Sequence, residues 1–543
     1  MPPSSVRELD DDSVALLLQA YVDQMVDYHT ARSLCAAPLE GLCAALYGPG
    51  RCGGGDGGDA GADNRLWRYA CEKMGLAVLP VYPGGPPTWR HAFSVLCNEV
   101  AALTPEALEA YKGLLRGDDA YEDGPFSGDD DSDDDDGYVT FFTAPPQRRL
   151  RREVVTLWFL AVERGLWCVM HYLLRRVDGI VHARDGDGAA LRRASANGNL
   201  AVVEVLLAHG ADVHADDDGA LQVASGRGHL AVVEVLLAHG ANVHAYDDWA
   251  LRMASANRHL AVVEVLLAHG ADVHADGDWA LRAASRNGHL AVVEVLLAHG
   301  ADVHALDDAA LRNASLNGHV EIVRALFAHG AHVHALDDVA LRLASMNGHL
   351  AVVEVLLAHG ANVHADTDAA LRNASVRGHV EIVRALLAHG ADVHADADEA
   401  LSLASRNGHL AVVEVLLAHG ADVRARNDQA LWGASARGRL AVVNLLLAHG
   451  ADVHAHSDWP LQVASTNGHL AVVEVLLAHG ADVHADSDWA LRVASRDGHL
   501  AVVEILLAHG ANVHALNDAA LREASERGHL AVVQALLAAG ATE

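Results

Sequence analysis

The sequence predicts a fold dominated by α-helices: a solenoid of stacked helix-turn-helix units joined by hairpin loops, preceded by a small helical N-terminal domain. Three observations carry this. The decapeptide AVVEVLLAHG recurs unchanged at 201, 231, 261, 291, 351, 411 and 471. It sits inside a thirty-residue unit that fills the chain from about 181 to 540. A fixed period of that length marks stacked supersecondary units, because each unit alone buries too little apolar surface to offset the entropy of ordering it.

Within Ala211–Gly240 the elements follow in order. Asp218 recurs every thirty residues to Asp518, three residues before the Leu of an AL pair, where a carboxylate can cap a helix start. A first helix is expected from about 219 to 227, with a thin buried face of Leu221 and Ala224. Gly228 supplies the left-handed residue that ends it. Leu230, Val232, Val233, Val235, Leu236 and Leu237 form a second, more apolar helix closed by Gly240. The segment from Ala211 to Asp217 is left as an extended hairpin. Arg258 replaces the turn glycine of its unit and Arg439 a turn histidine, so both are expected weak joints.

This pattern resembles the ankyrin repeat: GHLAVVEVLLAHGADV matches that family's second helix and hairpin, and ALQVASGRGHL its first helix and turn. The resemblance covers about 360 residues in a dozen in-register copies. The unit is three residues shorter than usual, and the family's Thr-Pro-Leu-His is replaced by xALR or xALQ, with only Trp459-Pro460-Leu461-Gln462 close to it. The Asp218 column would take over the capping done by that Thr. Thirty-residue units of this kind are similar to the ankyrin arrays of large DNA viruses. Leu157–Leu174 aligns as a degenerate first unit, making about thirteen in all over 151–543. At the far end Ala535 and Ala539 break the pattern, as expected of a unit that meets water.

The resemblance implies a scaffold that binds a partner protein along a concave face lined by hairpin tips and first helices. Chemical information then concentrates in the columns that vary, those of Asp216, Asp217, Gly219, Gln222, Val223, Gly226 and Arg227. Trp249, Trp279, Trp459 and Trp489 share one column, with Trp432 three positions later in its unit and Tyr246 at a nearby tip. Aromatics on adjacent units suit binding hot spots; the alternative is that they fill gaps left by the shortened hairpin. A row of arginines, from Arg192 to Arg522, lies beside the acidic tips and is expected to compensate charge. Histidine recurs in the columns of His214, His229 and His239. The His239-x4-His244 spacing is not read as a metal site, since no carboxylate or cysteine completes a set. The turn histidines are expected to brace neighbouring units, and charging many of them together in acid is expected to loosen the array.

Before the array, residues 1–110 read as a helical domain and 111–150 as an acidic, disordered linker centred on Asp118–Asp136. The first part resembles an F-box through Leu9, Val14, Leu17 and Leu18, then Ser33-Leu34-Cys35, Leu66-Trp67-Arg68 and Trp89. The family's early proline is absent, Pro38 interrupts the second helix, and the glycine-rich insert Gly48–Gly61 separates it from LWR. A domain that merely packs its own core is the alternative. The F-box resemblance implies docking on a Skp-type adaptor of a cullin ubiquitin ligase, with the array presenting a captured protein. A stand-alone scaffold or decoy is the competing reading.

Composition bounds the rest. A formal charge of −33 opposes a phosphate backbone, so nucleic acid is not an expected partner. All six cysteines lie before the regular units without a CxxC pair, which suggests neither a disulfide framework nor a zinc ribbon. No run of eighteen apolar residues occurs and the acidic start is unlike a signal peptide, so a soluble cytoplasmic or nuclear protein, in host cytoplasm if viral, is expected. The Gly48–Gly61 run lacks GKS or GKT and no nucleophile elbow appears. No enzyme, cofactor or metal is expected.

Overall fold

In a computed structural model of the chain, residues 188–542 are described continuously, with the helix at 152–164 and scattered positions between 107 and 180. The F-box-like positions Leu9, Val14, Leu17 and Leu18 lie outside the described residues, as does the acidic run apart from 121–122. Within the stretch 111–150, β1 (Tyr121–Glu122) and β2 (Arg149–Leu150) pair antiparallel, Tyr121 opposite Leu150. The helix α1 (Arg152–Arg164) buries Leu157, Trp158, Ala161 and Val162, the apolar face expected of the degenerate first unit. Contacts divide the chain into two compact parts, Met1–Asp272 and Val273–Glu543, and both contain copies of the same unit. Among the described residues no helix is long and apolar enough to cross a membrane.

Each unit is a pair of antiparallel helices. In the unit used above, the first spans Ala215–Arg227 and the second Leu230–Ala238. Within each part, first helices pack side by side on the first helices of adjacent units, and each rests on its own second helix. The first helix buries Ala220, Leu221, Ala224 and Ser225; the second buries Val232, Val233 and Leu236. The Ala-Ser step is what lets first helices approach closely, since a larger side chain there would hold them apart. The helix pair, the turn and the core positions are as the periodicity predicts.

The connector departs from expectation. In place of an extended hairpin, the chain reverses through three consecutive left-handed residues, Asp216, Asp217 and Asp218 (φ 55°, 49° and 60°), and the right-handed helix begins after them. The same triplet recurs in each later unit to 516–518, with Leu306, Leu336, Thr367, Ala397 and Arg426 among its members. Left-handed L-residues cost roughly 1 to 2 kcal/mol each, so the surroundings must hold the turn in place. Three residues fewer than the usual unit leave too little chain for strand-like arms, and a tight left-handed turn closes the shorter gap.

The Asp218 column does not cap its own helix. No side-chain cap bond is made at these helix starts. Asp218 is buried, and its Oδ1 accepts the backbone N–H of Asn242, 24 residues on in the next unit, at 2.7 Å. The pattern repeats from Asp248 to Asp272, Asp278 to Asp302, Asp368 to Asp392 and Asp458 to Asp482. The carboxylate is therefore a staple between units, and it fills that role because the left-handed turn has carried it inward.

Gly228 ends the first helix at φ 78°, as predicted. Arg258 holds the corresponding position at φ 68°, a conformation that penalises a Cβ. Arg258→Gly is therefore expected to stabilise the chain by about 1 kcal/mol, read as a higher midpoint in urea. An unchanged or lower midpoint would mean that the side chain's own contacts outweigh the backbone penalty.

Candidate partner-binding edge

The variable columns meet at the left-handed turn, whose construction sets what the edge can present. Entering it, Asn242 or its aspartate equivalents accept the N–H two residues later through the side chain, as in His244 N–H to Asn242 Oδ1 at 3.0 Å. The histidine that follows faces the stapling carboxylate, with His364 Nδ1 3.2 Å from Asp368 Oδ2. The turn's carbonyls point outward and are taken up by the arginine or glutamine column. Arg282 donates to Gly277 O at 2.9 Å and Asp276 O at 2.7 Å, and Gln222 to Asp217 O at 2.7 Å. Arg252, Arg312, Arg372 and Arg522 do the same in their units.

This revises the role read for the arginine row. Charge pairing with the next tip exists, in Arg192–Asp216 and in Arg342–Asp366 at 2.7 Å, but the shared task is clamping the turn. Compensation at one unit supports this reading. Ser402 is too short to reach its turn carbonyl, and Arg426 of the following unit donates to Asp396 O at 2.7 Å instead. That unit is unusual twice over, since Arg424 replaces the histidine and turns to Gly450 O at 2.9 Å. Without an imidazole beside it, Asp428 is dominated by burial, which pushes its carboxyl above the ordinary range against the bond from the Asp452 amide.

With the turn clamped, residues at its first position and just after it project outward. Tyr246 is 65% exposed, and Trp249 is exposed beneath the guanidinium of Arg252, 5.0 Å from the ring centroid. Trp459 is exposed with its ring 5.8 Å from that of Trp489, which is half-buried; Trp279 and Trp432 are half-buried. The aromatics therefore lie beside the turns of their own units, but only Tyr246, Trp249 and Trp459 offer much free surface. Two residues absent from the sequence reading join them: Leu306 at 58% and Leu336 at 52% exposure, in adjacent units, with Leu516 further along. The available signal was their place in Tyr246's column, where aspartate is the commonest residue.

The three histidine columns have three separate uses. His229 donates through Nε2 to Ala196 O, 33 residues back, at 3.0 Å, bracing neighbouring units as expected. His239 donates through Nδ1 to Val235 O at 2.8 Å and closes the second helix, while His244 faces Asp248, so the His239-x4-His244 pair does not converge. Two columns donate a ring N–H to a carbonyl and the third faces a carboxylate. Ring protonation breaks none of these bonds, so any loosening in acid rests on repulsion between charged rings and not on lost hydrogen bonds. Arg439 lays its stem over Gly408 where other units place the imidazole.

A family model described as Ankyrin repeats (3 copies) matches the chain in overlapping windows at 158–247, 246–307, 284–367, 311–397, 341–427, 371–457, 401–487 and 461–542. No curated protein matches it. Among solved structures, the human ASB11 ankyrin repeat domain is similar at 27% identity and a TM-score of 0.35, over 37% of this chain and 98% of that one.

Proposed function

Because the chain belongs to the ankyrin-repeat family, whose repeats serve as protein–protein interaction scaffolds, we propose that it grips a partner protein along the edge formed by its left-handed turns and first helices. One observation supports this most. Six of the ten exposed large apolar side chains among the described residues, Tyr246, Trp249, Leu306, Leu336, Trp459 and Leu516, fall in two of the thirty columns. Scattered exposed leucines need no explanation, whereas their concentration in two columns beside the turn does. Four of these residues, Tyr246, Leu306, Leu336 and Leu516, also hold a left-handed φ, a cost the fold could avoid with Asp or Asn.

Proximity labelling in cells, comparing the chain with Trp459→Ala/Trp489→Ala and with Leu306→Asp/Leu336→Asp, tests the proposal. Hot-spot side chains contribute roughly 2 kcal/mol or more each, so at least one double variant should lose a specific labelled protein about thirtyfold while its unfolding midpoint holds. An identical labelled set from the parent and both variants, at equal folded amounts, would refute the assignment of this edge.

The finer reading is an adaptor that recruits a substrate to a cullin-type ubiquitin ligase in the cytoplasm or nucleus, with residues 1–110 docking on a Skp-type protein. It is supported by the Leu9, Val14, Leu17, Leu18 and Leu66-Trp67-Arg68 pattern. The array also contains no lysine, the chain's two being Lys73 and Lys112, and so offers no ubiquitin acceptor side chain. Skp and cullin should copurify with the full chain and be lost on Leu17→Asp/Leu18→Asp. Their absence from the parent's complexes would leave the stand-alone scaffold or decoy.

A further inference from the structure

We propose that His304, Asp308 and His332 form a binding site for one divalent transition-metal ion of the zinc class. The turn arrangement places three positions together in every unit: the histidine, the stapling aspartate four residues later, and the residue 24 beyond it in the next unit. Only at 332 is that last residue a histidine; elsewhere in the column it is Asp, Asn or Thr. A second imidazole is thereby added to a carboxylate that already faces one. His304 Nδ1 lies 3.3 Å from Asp308 Oδ1, and His332 Nδ1 3.7 Å from Oδ2. The two rings stack, with centroids 4.0 Å apart and planes at 23°.

The three donor atoms lie within 4.8 Å of one another. Ligands about 2.0 to 2.1 Å from a tetrahedral ion are about 3.4 Å apart, so small ring rotations close the set. The carboxylate is pre-positioned as a ligand, because the His332 backbone N–H holds its Oδ1 at 2.7 Å and leaves Oδ2 toward the His332 ring. Asp308 is 3% exposed in its side chain, while His304 is 42% exposed against 55% for His274. His332 covers its neighbour and remains largely exposed itself, so the fourth coordination position opens to solvent. Two imidazole nitrogens and one carboxylate oxygen favour zinc, nickel or copper over magnesium or calcium.

The fold itself does not call for this histidine. At 302 and 362 the equivalent Asp and Asn accept the N–H two residues on, at 2.9 and 3.0 Å, and an imidazole at 332 gives that turn bond up.

The test titrates the untagged, chelator-stripped full chain with Zn²⁺, following heat of binding and melting temperature, alongside His332→Asn and Asn362→His. The parent should bind one equivalent above the weak background of its other surface imidazoles and melt higher when loaded. His332→Asn installs the residue found at 242 and 362, so it should keep the metal-free melting temperature while losing the saturable equivalent, with affinity at least about tenfold lower. Asn362→His repeats the arrangement beside His334 and Asp338 and should add a second equivalent. Saturable binding that His332→Asn leaves intact, or a parent that shows only the unsaturable background, would overturn the proposal.

Discussion

Asp368→Ala is expected to destabilise the array by about 2 to 4 kcal/mol, although the group removed is a carboxylate and not an apolar core side chain. Its carboxylate is buried, accepts the Asp392 N–H at 2.8 Å and faces His364 Nδ1 at 3.2 Å. A hydrogen bond to a charged group is worth roughly 1.5 to 3 kcal/mol, and removing the acceptor takes this partner from the Asp392 amide. Alanine also inherits φ 55°, which an aspartate tolerates better, adding about 1 kcal/mol. Asp368→Asn separates these terms, since the amide oxygen can still take the Asp392 N–H and Asn suits the left-handed region. It should cost no more than about 1 kcal/mol. Urea unfolding of the three proteins, with hydrogen exchange at the Asp392 amide, decides it. An Asn variant as weak as the Ala variant would shift the weight from the amide bond to the charge facing His364.

That staple shows where sequence reasoning reached and where it stopped. The period, both helices, the turn glycines and the bracing histidines were legible because each depends on residues close in the chain or on a repeat of thirty. Asp218 was read as a helix cap because its spacing from Leu221 suits one. Its true acceptor role lies 24 residues ahead, in a unit whose placement only stacking determines. The left-handed triplet was also hidden. Neither Asp216-Asp217-Asp218 nor Leu306-Asp307-Asp308 contains the glycine that usually announces positive φ. The conformation is imposed collectively, by the shortened connector, the arginine clamp and the buried carboxylate. The candidate edge was half legible for the same reason. Tryptophans stand out in any sequence, whereas Leu306 and Leu336 acquire meaning only when the turn is seen to push them outward.

Gly468→Ala should be about as damaging, at roughly 2 to 4 kcal/mol, by a different route. The residue sits at φ 71°, and a Cβ there would lie 2.6 Å from His499 Nδ1 and 2.8 Å from its Cε1. The imidazole cannot easily yield, because its Nε2 donates to Thr466 O at 2.9 Å and thereby joins two units. Backbone strain accounts for about 1 to 2 kcal/mol of the expected loss and the displaced histidine for the remainder. A double-mutant cycle with His499→Ala apportions them. Removing the ring alone sacrifices one interunit bond, about 1 kcal/mol, but the added methyl then enters vacated space. The combined variant should therefore be less damaged than the sum of the two single changes, by about 1 kcal/mol or more. Strict additivity would place the whole penalty in the backbone and deny that glycine and histidine are matched across the joint. The coupling bears directly on how such an array is built. A side chain at the turn of one unit is excluded by the brace of the next, so glycine and histidine must be satisfied together at each such joint within a part.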